Sequence, residues 1–147
     1  KMSERINIQK VEPKAYEAMF GLEKYLSTSK LSKTILELIK IRASQINGCA
    51  YCIDMHTQEA IKHGENPRRI FAVSAWWESP LFDEKEQVVL KMTEEVTLVA
   101  DKGLTTKTYD LAKTIFDDNE IAQIIMQIAI INTWNRIAVS TRMIHEI

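Results

Sequence analysis

The chain has 147 residues, 46% apolar and 27% charged, with 19 Lys and Arg against 20 Asp and Glu for a formal charge of −1. That length fits one domain, and a balanced charge without a basic run excludes a nucleic-acid-tracking or anionic-membrane footprint. With 4 Gly and 3 Pro, about 5% of positions where an average chain has roughly 12%, turn chemistry is too scarce for a many-stranded sandwich or barrel, and a few long helices are expected.

No stretch reaches the roughly 18 apolar residues of a membrane span, and nothing after Met2 reads as a targeting signal, so a soluble, cytoplasmic protein is expected. Because a native chain begins at Met, Lys1 is expected to be an added residue or a cut end and is set aside. Residues 2–147 show no repeat or linker and read as a single domain.

After an extended N-terminal arm, Pro13 suits the first turn of a helix, where its missing N–H is an orphan donor in any case; this helix is expected to reach about Ser27. A second spans Leu31 to Ile46 and stops at Asn47-Gly48, a pair that tolerates left-handed backbone. The third runs from Cys49 to His63 before Gly64, and Asn66-Pro67 opens a fourth through Trp77, ended by Ser79-Pro80. Asp83 with Glu86 has capping-box spacing and starts a helix to about Lys102, followed by a shorter one from Thr106 to Phe116. From Asp118 to about His145 no Gly or Pro interrupts a last helix. The fold class is all-α, a bundle of six or seven helices.

At 100° per residue the last helix places Ile124, Ile128, Ile130, Ile131, Trp134 and Ile137 all round its axis, leaving no wide polar face. Such a helix must be covered on every side. A homo-oligomer with this segment near the interface is expected, the alternative being a central helix in a monomer.

Cys49, Cys52 and His56 stand at i, i+3 and i+7, about 0°, 300° and 340° on a helical wheel, so two thiols and an imidazole share one stripe. The pair falls on the first turn of its helix, where unsatisfied N–H groups and the dipole favour a thiolate. His56, one turn on from Cys52, is placed to take a proton directly or through one water. A structural disulfide across three residues would remove little unfolded-state entropy. Zinc held by Cys49, Cys52 and His56 lacks a fourth ligand, with no second CxxC or HxxxH in the chain. Buried, inert thiols are the third alternative. Redox chemistry is the leading reading, and the thioredoxin form of the motif is disfavoured because a helix, not a strand, precedes it.

Residues Glu37 to His56 read Glu-x11-Cys-x2-Cys-x3-His, and Trp76-Trp77-Glu78-Ser79-Pro80, Asp83-Glu84-Lys85-Glu86 and Asn132-Thr133-Trp134-Asn135-Arg136 follow in order. On these motifs the chain, from about Leu22 to its end, closely resembles the AhpD-like alkylhydroperoxidases of the carboxymuconolactone decarboxylase family. The resemblance implies an all-helical fold assembled as trimers or hexamers. It implies Cys52 as the peroxidatic cysteine, Cys49 as its resolving partner, and His56 with Glu37 as the proton relay, without metal or cofactor. A hydroperoxide would be the substrate, and a dithiol carrier such as a lipoyl domain or thioredoxin-like protein would reopen the disulfide. One departure is visible: Tyr51 stands where the best-known peroxidases of the family carry a second histidine. A phenol, with pKa ~10, does not shuttle protons at neutral pH as an imidazole does, which gives weight to a general thiol–disulfide role.

Periodicity by itself puts Glu37 on a solvated face beside Lys33 and Lys40; only the resemblance assigns it to a relay. His63 lies on the thiol stripe but ~10 Å beyond His56 along the axis, which favours a surface role. Trp76 and Trp77 read as packing near a helix end, and Asn135 and Arg136 as groups satisfying buried partners across helices. The sequence thus points to a thiol oxidoreductase acting on peroxide. The alternatives are a general thiol–disulfide oxidoreductase and a helical assembly protein with silent or zinc-binding thiols.

Overall fold

The computed structural model describes residues 3–147; the expected domain start at Met2, and Lys1 before it, lie outside the described residues. After α1 (Ile8–Val11), a single turn within the expected extended arm, come α2 (Pro13–Leu26), α3 (Lys33–Asn47) and α4 (Ala50–Lys62). α5 (Pro67–Ala72) runs into a 3₁₀ segment at Val73–Glu78, and α6 (Glu84–Thr97), α7 (Thr106–Lys113) and α8 (Asp118–Thr141) follow. Among the described residues there is no strand, and no helix is long and apolar enough to cross a membrane.

Helix starts are written in side chains. Ser32, Asn66, Asp83, Thr105 and Asp117 each accept a first-turn backbone N–H, and Asp83 with Glu86 and Asp117 with Glu120 close reciprocal capping boxes. A cap of this kind contributes about 1 kcal/mol.

Two helix ends depart from expectation. α6 stops at Thr97 rather than Lys102, because residues 98–102 turn back toward Gly103, with Lys102 at φ +76°. α8 stops at Thr141 rather than His145. There Arg142 takes φ +55°, and the Met143 N–H bonds the Ala138 carbonyl at 3.0 Å, a Schellman closure formed without glycine. Its hydrophobic contact is Met143 against Ala138 and the thiol cluster. The expected fourth helix is likewise divided, by non-helical backbone at Ala75.

α3 is the axis of the molecule because three of its faces are covered. Ile35, Ile39 and Ala43 pack with Val89 and Met92 of α6 and Ile124 and Ile128 of α8. Leu38 and Ile41 pack with Ala60, Ile70, Val73 and Trp76. Each fully buried aliphatic chain contributes roughly 1.5–3 kcal/mol. The remaining stripe, with Glu37 and Ser44, turns toward α4 and α8 and is buried as well. α8 in turn packs against α2, α3, α4, α6 and α7. Most of its all-round apolar surface, the argument for an oligomer, is therefore covered within one chain, leaving exposed a narrow strip that includes Ala122, Ala129, Thr133, Arg136 and Ser140, and the half-exposed Val139 beside it.

Candidate active site

α3 and α4 are joined by Gly48 and Cys49 alone. Gly48 sits at φ +64°, where a side chain is strained, and its N–H bonds the Gln45 carbonyl while that of Cys49 bonds Ser44 at 3.0 Å. Cys49 closes α3 and at once caps α4: its backbone is extended, and its Sγ accepts the Cys52 N–H at 3.3 Å. Both thiols are free and buried, 1% and 4% exposed.

They share protons unequally. The Cys52 thiol donates to Cys49 and, against the cost of burial, holds it down to about 7, helped by the Cys52 backbone N–H and the Asn135 side chain. Cys52, as the donor of that bond and buried, is pushed up far beyond the ordinary thiol range. At neutral pH the pair thus approaches one proton and one negative charge, the charge resting on the capping sulfur.

Asn135 is fixed for this task by its other bonds. Asn47 Nδ2 donates to Asn135 Oδ1 and to Asn132 Oδ1, both at 2.9 Å. With its oxygen taken, Asn135 turns its amide N–H groups away, one onto Ser44 Oγ at 3.0 Å. The Ser44 hydroxyl donates its own hydrogen bond to the Lys40 carbonyl, so its oxygen is free to accept from Asn135. The same amide favours the charged form of either sulfur. Asn135 and Arg136, read alike from sequence, thus separate: Asn135 is buried beside the thiols, whereas Arg136 is exposed and bonds back to Asn132.

His56 and Glu37 meet next to the thiols. The His56 Nδ1 lies 3.3 Å from Glu59 Oε2 and 3.8 Å from Glu37 Oε2. Burial, reinforced by the Lys40 ammonium, pushes the imidazole down to about 4. His56 is therefore neutral at pH 7, and the group that titrates near neutrality is the thiol pair, not the histidine. With Nδ1–H donated to a carboxylate, Nε2 is left as the basic nitrogen. Glu37 is not on a solvated face. It is 8% exposed, burial raises its carboxyl above the usual range against the pull of Lys40 at 3.4 Å, and its Oε2 has no hydrogen-bond partner.

These positions decide which residues suit a metal. The trio of Cys49, Cys52 and His56 is not what the fold assembles. Among the described residues, the donor atoms gathered within 4.8 Å are those of Glu37, His56 and Glu59. A cation there would compete with Lys40, which already supplies positive charge to Glu37. The donor set suits proton handling better than a resident ion.

A cavity of about 590 Å³ opens over the site, with Cys52, His56, Glu59 and Lys40 on its polar side and Tyr16 and Trp134 on its aromatic wall. Cys49 is not on that wall. The aromatic side is held by Tyr16 edge-on to Trp134 at 5.3 Å and by the Trp134 Nε1 donating to Glu23 at 2.8 Å. Glu4 to Gln9 close the cavity as a strap, tied where the Arg5 N–H bonds the Thr141 carbonyl and its guanidinium the Ser140 carbonyl, both at 2.9 Å. Those carbonyls are orphans of the α8 terminus.

The four residues singled out from the sequence, Glu37, Cys49, Cys52 and His56, thus converge. Tyr51 lines the cavity; Trp76 is buried with its Nε1 on Glu94, Trp77 is exposed, and His63 lines a separate cavity. Sequence reasoning missed Glu59, although it lies three residues beyond His56 on the thiol stripe. It also missed the strap and the roles of Lys40, Tyr16 and Asn135, which depend on which helices meet.

A sequence profile described as "Carboxymuconolactone decarboxylase family" matches residues 13–95. The chain is 37% identical over 139 residues to the uncharacterized protein YdfG of Bacillus subtilis (strain 168), covering 95% of each. It is similar in structure to ATU0492 of Agrobacterium tumefaciens, a protein of unknown function proposed as an antioxidant defence protein AhpD, with 41% identity, a TM-score of 0.95 and 99% of both chains covered. The debrominase Bmp8 shares the fold at 20% identity and a TM-score of 0.84, over 94% of this chain and 74% of its own.

Proposed function

The chain belongs to the carboxymuconolactone decarboxylase family and carries the CxxC of its AhpD-like branch, and from that premise we propose that it is a thiol-dependent peroxidase reducing organic hydroperoxides. The observation that carries the proposal is the pair of buried thiols linked by the Cys52 N–H to Cys49 Sγ bond, with one sulfur, Cys52, on the wall of a cavity large enough for a bulky ligand.

The steps follow from the placement. Cys52 passes its proton to Cys49 and attacks the distal oxygen of ROOH; the O–O bond breaks, and the alkoxide leaves as ROH with a proton relayed through His56 and Glu37. Cys52 is then a sulfenic acid. Cys49 attacks its sulfur and gives the proton it took from Cys52 to the departing hydroxide, which leaves as water, giving the Cys49–Cys52 disulfide. A dithiol carrier, a lipoyl domain or thioredoxin-like protein, reopens it by exchange and is itself oxidised.

The test is the count of free thiols before and after one equivalent of cumene hydroperoxide. Loss of both, with one intramolecular disulfide formed, supports the peroxidase; unreacted thiols refute it. The rate should rise with pH through about 7, where the Cys49 side of the pair loses its proton, and His56 should add no limb above about pH 5 because it is already neutral.

A second reading, general thiol–disulfide exchange, is favoured by Tyr51 where the peroxidases resembled have histidine. A steady-state comparison of hydroperoxide with small disulfides as oxidants separates the two. The free thiols suit a reducing, cytoplasmic setting. A homo-oligomer, trimer or hexamer by family resemblance, is supported by α2, which buries only Leu26 and leaves Phe20 and Tyr25 about half exposed. Sedimentation giving a single subunit would refute it.

A further inference from the structure

Glu37 stands between two cavities. Its partners Lys40, His56 and Glu59 line the one over the thiols, while Glu37 itself lines a second, of about 260 Å³, on the far side of the relay between the start of α3, the end of α4 and Arg69 of α5. Lys33, Thr34, His63 and Glu65 stand on its wall, and it has room for several waters at ~30 Å³ each. We propose that the second cavity is the proton inlet of the site, with His63 as its solvent-exchanging station and Glu37 as the gate to His56. The inference rests on the thiol-redox reading of the site.

Proton balance is the first reason. Above the pH at which the pair loses its first proton, oxidation is Cys49–S⁻ + Cys52–SH + ROOH + H⁺ → disulfide + ROH + H₂O. One proton must come from solvent in each oxidation, and one returns when a dithiol reopens the bridge. The residues are 1% and 4% exposed, and a bulky hydroperoxide seated in the first cavity would stand between Cys52 and the solvent on that side. The proton then needs a second path.

The second reason is the orphan oxygen. Glu37 Oε2 is buried without a hydrogen-bond partner although it faces His56 at 3.8 Å, a state that suits a carboxyl which takes up and passes on a proton. The charged and titratable groups around it are Lys33, Lys40, His56, Glu59, His63, Glu65 and Arg69. Arg69 is held by Glu65 at 2.9 Å and by Glu86, which commits both carboxylates. Of the groups on the far side, the imidazole of His63, exposed at the end of α4, is the one able to trade protons with water and with Glu37. Its charge also bears on the Glu37 carboxyl.

The experiment compares wild type, His63→Ala and His63→Gln in stopped flow at pH 8, following proton uptake with an indicator dye during a single oxidation by cumene hydroperoxide. His63→Ala is expected to slow uptake by up to about tenfold, less than loss of a directly acting acid or base. Millimolar imidazole, small enough for the cavity, should restore the rate; His63→Gln should stay slow and respond less, its side chain filling the space. Unfolding midpoints and free-thiol counts should match wild type. Reopening the preformed disulfide with dithiothreitol releases the same proton without any peroxide. Slower release in His63→Ala there supports the inlet even if hydroperoxides fail to oxidise the wild type, an outcome that refutes only the peroxidase. Unchanged proton kinetics in both directions, or slowing that imidazole does not relieve, overturns the inlet.

Discussion

The two halves of α8 do different work with the same backbone. In the first, Ile121, Ile124, Ile128 and Ile131 fill the core against α3 and α6, and what they supply is volume. In the second, Asn132, Asn135, Ala138 and Thr141 stand over the thiols and the cavity, and what the polar ones supply is direction. A core of aliphatic chains repacks around a lost methyl. An amide whose oxygen is claimed by Asn47 can aim its N–H groups one way only, and the thiol pair depends on that aim.

The largest effect is expected at the sulfurs that this directed half of α8 overlooks. Cys52→Ser is expected to abolish peroxide turnover, on the order of a thousandfold or more. Cys49→Ser should instead allow the first step and stop at a sulfenic acid on Cys52, detected by dimedone labelling and mass spectrometry. The reverse pattern, with sulfenic acid on Cys49 in Cys52→Ser, would mean that charge rather than the cavity wall selects the nucleophile.

Next comes the contrast within α8. Asn135→Leu leaves the Asn47 donor without one of its acceptors and Ser44 Oγ without its donor, so a cost of about 1–3 kcal/mol in stability is expected, and it removes the amide that favours the charged form of both sulfurs. The thiol pair should also titrate at higher pH. If its midpoint rises by about one pH unit, alkylation by iodoacetamide at pH 6 falls about tenfold and recovers as pH is raised. Ile128→Val should cost about 0.5–1.5 kcal/mol in chemical denaturation and leave the pH profile of alkylation where it was. If both variants move that profile, the division between volume and direction fails.

The same division explains what the sequence could convey. Helix starts were legible because caps are local: Asp83 with Glu86, and Asn66 with Pro67, announce themselves within four residues. The thiol motif was legible for the same reason, since Gly48, Cys49, Cys52 and His56 fall within one turn and the next. The end of α8 was not, because Arg142 enters a left-handed conformation that nothing in its type announces and that the docking of Met143 on the thiol cluster stabilises. Glu37 was misplaced by periodicity. A helix buried on three sides has no solvated face, and that depends on α4 folding back across α3. The all-apolar α8 called for neighbours without saying whether they come from the same chain.

The smallest effect is expected at the strap. Residues 4–9 bring no catalytic group to the cavity, but they form its cover, and their tie to the end of α8 is two bonds from Arg5. The backbone bond survives Arg5→Ala; the exposed guanidinium bond, contributing about 0.5–1.5 kcal/mol, does not. The cover should then be open more often, which weakens contact with a ligand large enough to reach it and leaves a small one indifferent. KM for cumene hydroperoxide is accordingly expected to rise by a factor of about two to ten, with kcat and the constants for hydrogen peroxide unchanged. Equal effects on both peroxides would show that Arg5 acts by holding the α8 terminus, and with it Thr141 and the thiol end of the helix, rather than by covering the substrate.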